Sequence, residues 1–271
     1  MSELQGRVQK EYEEWESTPP NVVTRGLGKL TAPISHHLNS VMKKIVSPLE
    51  GVVRKTNEFI ADAVKHFSGE MPNFENMDEK SFEEWFSKAD KSANDWKTGG
   101  IAFITSEGAI TGVGGIETLL IDIPAVFLLI LSFSNKIALT YGFPINTLDA
   151  QMDILNAIYA GSANNLEEKV AAISVIKQTK MTLKLPWKMI DRIAADEVTG
   201  KLETIATAKM IVAIREFLTK FGITITKRKA GQIVPIIGAI SGMAINYAWA
   251  SDAMEAVRQN SRKWIIDTYY S

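Results

Sequence analysis

The sequence predicts an all-α fold, a compact multi-helix domain built around two central apolar, glycine-faced segments. Three observations lead there. Apolar residues recur at i, i+3, i+4 and i+7 through most of the chain. No stretch alternates apolar and polar residues over the length of a strand. Glycine, proline and capping residues punctuate the periodic runs at helix-length intervals.

Residues 1–20 form a polar N-terminal segment ending in "STPP", a helix stop or linker. Residues 21–271 form the helical domain. From Val41 to Phe67 the apolar spacing is that of an amphipathic helix, restarted at Ser47 as N-cap and Pro48 as first helical residue. Ser81 and Glu84 have capping-box spacing. They open a helix whose apolar face is Phe82, Trp85, Phe86, Ala89, Ala93 and Trp96, and Thr98-Gly99-Gly100 is expected to stop it. An apolar centre follows over residues 101–140 and ends at "TYGFPIN", where Gly142 and Pro144 oppose a helix. Helical patterns continue near 147–160, 165–180, 186–199 and 201–221, then a second apolar segment at 230–250. A last helix near 252–268 buries Ala253, Ala256, Val257, Trp264 and Ile265.

Composition narrows the function. The 271 residues are 46% hydrophobic and 23% charged with a net charge of −1, so nothing favours a nucleic-acid partner. The chain has no cysteine, which removes disulfides, thiol catalysis and thiolate metal sites and fits a reducing, cytoplasmic setting. The N-terminal residues are acidic and polar, unlike a signal peptide. His36, His37 and His66 lack metal-ligand spacing, and no G-x-S-x-G is present. No catalytic, cofactor or metal residue is assigned.

The glycines of "GAITGVGGIETLLIDIPAVFLL", residues 108–129, suggest a phosphate loop at first sight. A Walker loop follows its last glycine with Lys and Ser or Thr; here Gly115 is followed by Ile116 and Glu117, and a carboxylate repels phosphate. Gly108, Gly112 and Gly115 instead smooth a helix face, as do Gly238 and Gly242, so the two segments are expected to pack closely as a hairpin-like core. Asp122 before Ile123-Pro124 reads as an N-cap that splits the stretch into two helical elements. The uninterrupted run Ile123–Leu131 is then too short to cross a membrane. Glu117 and Asp122 would stand about 140° apart round a continuous helix, which does not suit an acid–base pair.

Residues 230–250 carry no charge between Lys229 and Asp252, long enough for a span, with Lys227, Arg228 and Lys229 as a basic flank. A buried helix has the same composition. Two basic runs, Arg25 to Lys55 and Lys177 to Arg192, add to the case for an anionic lipid surface, although for either run alone a solvated helix face is the better reading.

Two blocks resemble the EcsC family of bacterial proteins. "TGVGGIETLLIDIPAVFLLILSFSNKIALTYGF", residues 111–143, is similar to the family's glycine-rich entry, D-x-P, long apolar helix and Y-G-[FY] turn. "FGITITKRKAGQIVPIIGAISGMAINYAWASDAMEAV", residues 221–257, is similar to its basic triplet, V-P-x-x-G-A helix, Asn and downstream Asp. The resemblance is tightest over residues 80–270. Asp122, Pro124, Pro235, Gly238, Asn246 and Asp252 fall on family positions, and Asp122, Asn246, Asp252 and Glu117 are the polar positions singled out.

The family is named for a protein encoded beside an ABC-type exporter. The resemblance therefore implies a non-enzymatic accessory or interaction protein, cytoplasmic or membrane-associated, linked to transport or secretion and partnered by an anionic lipid surface or a transporter. Two alternatives stay open: an enzyme acting on a lipophilic substrate through Asp122 or Glu117, and an integral protein spanning at 230–250.

Overall fold

The computed structural model describes residues 2–20, 48–49, 74–111, 115–145, 147–182, 224 and 238–271. Among these the structure is all-α: six α-helices, one 3-10 turn at Phe74–Asn76, and no strand. The helices are α1 (Glu3–Ser17), α2 (Glu79–Thr111), α3 (Gly115–Thr140), α4 (Leu148–Ser162), α5 (Leu166–Thr182) and α6 (Gly238–Tyr269). The expected helix from Val41 to Phe67 lies outside the described residues, apart from Pro48 and Leu49, which are helical. The patterns at 186–199 and 201–221 also lie outside them.

Local chemistry sets most of the boundaries. Ser2 caps α1 by accepting from the Gln5 N–H at 3.1 Å, and Pro19-Pro20 bars its continuation. Helix α2 starts earlier than the Ser81 spacing suggests. Asp78 is the cap: its Oδ1 accepts from the Ser81 N–H at 2.9 Å and its Oδ2 from the Ser81 hydroxyl at 2.9 Å. Those bonds hold the Asp78 carboxyl below its usual pKa. Thr147 caps α4, accepting from the Ala150 N–H, and Asn165 caps α5, accepting from the Glu168 N–H at 2.8 Å. Helix α3 ends in a Schellman motif. Gly142 takes φ 72°, its N–H donates to the Leu139 carbonyl, and the Phe143 N–H donates to the Ala138 carbonyl.

Three boundaries depart from the sequence reading. Helix α2 does not stop at Gly99-Gly100 but runs on to Thr111. Gly100 is a contact: a Cβ there would sit 2.7 Å from Phe133 Cγ and 3.0 Å from Met254 Cε, so the glycine lets α3 and α6 approach. Helix α3 is continuous through Asp122 and Pro124, so Asp122 is no N-cap. Proline forfeits one ladder bond there, and the apolar packing of Ile123, Val126 and Phe127 carries the helix across. Finally, the second apolar segment from Gly238 onward and the expected last helix are one rod, α6.

Helix α6 is the centre, packing against α1, α2, α3 and α4. Its neighbours run antiparallel or parallel by clear registers. Asp90 meets Tyr141, and Gly100 meets Phe133, so α2 and α3 form an antiparallel hairpin. Lys97 meets Glu255 and Asp90 meets Arg258, so α6 runs antiparallel to α2. Trp249, Ala253, Met254, Val257 and Ile265 are fully buried in the core, with Phe82, Phe86 and Phe127 facing it. Helix α4 crosses α6 where Gly161 abuts the Asp252–Ala253 backbone. Helix α1 buries Leu4, Val8 and Tyr12, so residues placed in a polar N-terminal segment contribute to this core.

Candidate functional site

Polar chemistry concentrates at one end of the α2–α3–α6 bundle. Asp90 accepts two hydrogen bonds from Arg258 Nη2 at 3.1 Å and one from the Tyr141 hydroxyl at 2.6 Å, and it pairs with Arg262 Nε at 2.8 Å. Arg262, 3% exposed, also reaches Glu11 at 2.6 Å. Glu255 pairs with Lys97 at 2.6 Å and Arg258 at 3.0 Å and accepts from Gln259 at 2.7 Å. Three carboxylates face three cations, so the cluster is neutral, which is what allows charges to sit half-buried. Burial pushes the Glu255 carboxyl up, but Arg258 and Lys97 outweigh it and hold it below the usual range. Burial, then Asp90, pushes the Tyr141 hydroxyl well up, so it stays a donor. The cluster ties α1, α2, the turn after α3, and α6 together. With both oxygens of Asp90 and of Glu255 engaged by cations, it reads as a structural lock.

A second lock sits at the end of α1. Lys169 donates from Nζ to the Trp15 carbonyl and, at 2.9 Å, to the Thr18 carbonyl, and lies 4.4 Å over the Trp15 ring. These are carbonyls a helix C-terminus leaves without partners. Burial lowers the Lys169 pKa from 10.5 to about 8.

The opposite end is different. Beyond the level of Gly100, Phe133 and Met254, α2 carries Glu107, α3 carries Glu117 and Asp122, and α6 carries Asp252 and then no further charge back to Gly238; no Lys or Arg occurs in these stretches. The helix registers put all three of these halves, without Lys or Arg, at the same end. Phe103 is 48% exposed and Tyr247 49% exposed in this region. At its lower margin on α2 and α3, ring centroids step from Trp96 to Phe133 (6.5 Å) and from Phe133 to Phe103 (6.4 Å). Lys136 Nζ lies 4.4 Å over the Trp96 ring and 5.4 Å from the Phe133 centroid.

The segment Asp122–Thr140 is, among the described residues, the one helix stretch long and apolar enough to cross a membrane, and 61% of it is buried by protein. That corrects the reading that this run is too short. Two of its polar residues bond back to their own helix: Ser132 donates to the Leu128 carbonyl and Asn135 to the Leu131 carbonyl. In the 230–250 segment the described part is the start of α6, where Ile245, Ala248, Trp249 and Ala250 are buried; the Trp249 indole donates to Ser162 Oγ at 2.9 Å.

The polar positions picked from sequence do not gather at one point. Asp122, 5% exposed, is in α3, and Asn246, 1% exposed, is in α6 with its Oδ1 lacking a hydrogen bond. Both lie toward the end without Lys or Arg, about 16 Å beyond Phe133 and about 12 Å beyond Met254 along their helices at 1.5 Å per residue. Asp252 is lower on α6, at the Gly161 crossing, where its charge acts on Lys169. Glu117 lies in α3, but its side chain is outside the described residues, as are those of both basic runs. Gly108, Gly115, Gly238 and Gly242 are helical and Gly112 falls in the undescribed link; the surfaces they meet lie outside the described residues too. Among the described residues no group of three or more His, Cys, Asp or Glu side chains is placed to hold a metal ion.

Sequence reasoning missed Asp90, Tyr141, Arg258 and Arg262. The available signal was a charged stripe at i, i+3 and i+7 (Glu255, Arg258, Arg262) on a helix otherwise rich in buried apolar residues.

The profile of the EcsC protein family matches residues 6–265. The chain belongs to this family. The match begins inside α1 and runs almost to the end of α6, so the EcsC unit includes the described core. A curated relative, "Uncharacterized protein YdbA" of Bacillus subtilis (strain 168), is 28% identical over 151 residues, 56% of this chain and 48% of that protein. The chain thus matches about half the length of that relative. No solved structure matches it. In this EcsC protein the Y-G-F turn has a physical meaning: Tyr141 holds Asp90, Gly142 supplies the positive φ, and Phe143 packs edge-on against Trp264 at 5.1 Å.

Proposed function

We propose that this EcsC-family protein is a non-enzymatic accessory or interaction protein that works peripherally at the cytoplasmic membrane, in connection with transport or secretion. The observation that carries the membrane part is the axial separation of charge. Three helices place halves without Lys or Arg, whose charges are Glu107, Glu117, Asp122 and Asp252, at one end of the bundle, where Phe103 and Tyr247 stand exposed, and the ion-paired cluster lies toward the other. A helix assembly polarised in this way suits a boundary between water and an apolar phase. The transport or secretion link is supported by the family resemblance alone.

Fractionation of cells expressing the full chain tests the reading. The protein is expected to pellet with membranes and to be released by a carbonate wash. Recovery in the soluble fraction before the wash would remove the membrane role. Retention after it would favour an integral protein, for which Asp122–Thr140 is the described stretch of sufficient length.

A further inference from the structure

We propose that the row Trp96–Phe133–Phe103, with Lys136 above it, is the surface by which the protein seats on an anionic phospholipid bilayer. The proposal rests on the membrane reading above and names the contact that makes it.

Four observations converge on this patch. The first is composition. Trp96 and Phe133 are partly exposed and Phe103 is about half exposed, and their rings follow one another at 6.5 and 6.4 Å. A continuous aromatic strip across two helices places apolar area and ring faces where headgroups meet acyl chains. The second is charge. Lys136 Nζ is held over two rings, and no described carboxylate forms an ion pair with it. Lys97, Arg258 and Arg262 are engaged by acids, and Lys80, Lys88 and Lys91 stand in solvent without an ion pair among the described residues, whereas Lys136 is held on the rings. An ammonium fixed on an aromatic strip keeps its outward N–H groups for a phosphate oxygen.

The third observation is position. The strip starts at the level of the Lys97–Glu255 pair and rises into the half of α2 whose one charge is Glu107. From Trp96 to Phe103 is seven residues, about 10 Å of helix, the depth at which an interfacial helix sits. The fourth is the exposed edge of α2 above Trp96. It reads Thr98, Gly99, Ala102, Phe103 and Ser106, with no charge to be desolvated. Gly99 has no neighbour within 4 Å of a built Cβ, so this edge is open. A protein partner would fit an apolar strip equally; the unpaired cation over the rings favours anionic lipid.

The test uses the full chain and vesicles of phosphatidylcholine, with and without phosphatidylglycerol. Co-sedimentation is expected to be stronger with phosphatidylglycerol. Lys136→Gln, which keeps the stem, is expected to weaken binding to the anionic vesicles about fivefold and leave neutral ones unchanged. Phe103→Ser is expected to weaken binding to both about tenfold. Because the chain lacks cysteine, Phe103→Cys takes a single environment-sensitive dye, with Glu83→Cys at the charged end as control. Vesicles should shift the first dye to the blue and leave the second unmoved.

If the parent binds and both substitutions leave binding unchanged, the patch is wrong and the membrane reading stands. If the parent binds no vesicle, both fall. A dye shift at position 103 on adding unlabelled protein instead of vesicles would mark a second copy as the occupant and overturn the lipid assignment.

Discussion

Replacing Gly161 with alanine is expected to force α4 and α6 apart. A Cβ there would lie 2.6 Å from Ala253 Cα and from the Asp252 carbonyl carbon, and closer still to the carbonyl oxygen. Carbon atoms are comfortable at about 3.5–4.0 Å, so one helix must retreat by about 1 Å. All three obstacles are backbone, and no rotamer change clears them. Helix α6 is also held from its other side by the Asp90–Arg258 pair with α2, while the Trp249–Ser162 hydrogen bond ties it to α4 itself. Overpacking typically costs about 1–3 kcal/mol, and the backbone obstruction puts this site at the upper end. The helix preference of alanine over glycine returns about 1 kcal/mol. The net expectation is a loss of about 2 kcal/mol, or roughly 4–8 °C in melting temperature for a chain of this size. Calorimetry and urea unfolding measure it, and Trp249 fluorescence should report loosening beside the site. Gly99→Ala is the matched control, since nothing lies within 4 Å of its Cβ and the substitution should be neutral or stabilise by up to about 1 kcal/mol. Equal stability of the two variants would refute the close crossing of α4 and α6.

Asp90→Ala leaves Arg258 and Arg262 facing one carboxylate fewer, so a loss of about 3 kcal/mol is expected in urea unfolding, with Arg262 the more affected because it is almost fully buried. Glu255 is depressed in the folded state, so its pairing stabilises above its unfolded value near 4.5 and is lost as pH falls through the folded value; Glu255→Gln should flatten that acid limb of the stability curve. Lys169 works in the other sense. With a folded pKa near 8 against 10.5 unfolded, the unfolded chain binds more protons between those values, so stability should rise from pH 8 to 10.5 relative to Lys169→Met, while the neutral amine keeps two donors for the Trp15 and Thr18 carbonyls. Asn246→Leu removes a buried carbonyl oxygen that makes no hydrogen bond, so the variant is expected to melt no lower than the parent; a lower melting temperature would mark Asn246 as architectural.

The fold class was legible because each long helix keeps an apolar face: Phe82, Phe86, Ala89 and Ala93 repeat at three and four residues and are buried as that spacing requires. The stop at Tyr141-Gly142-Phe143 was legible because a glycine with positive φ followed by proline leaves the chain little choice. Gly99-Gly100 was misread because a glycine used for close approach looks like one used for a C-cap until its neighbour is known, and Phe133 is 33 residues away. Asp122-Ile123-Pro124 was misread for a related reason. Cap chemistry is local, whereas burial of Ile123, Val126 and Phe127 against other helices overrides one lost hydrogen bond. The charged cluster was invisible as a unit, since Asp90 and Arg258 are 168 residues apart and either alone looks like a solvated helix residue. The aromatic strip was hidden the same way: Trp96 was placed on the apolar face of α2, and its continuation through Phe133 needs the hairpin.

Flotation of the purified full chain with vesicles containing phosphatidylglycerol tests the membrane role most directly. The charge-polarised bundle predicts that the parent rises with the lipid and that Phe103→Ser, folded to the same melting temperature, largely stays behind. A parent that remains at the bottom of the gradient with every vesicle composition would contradict it.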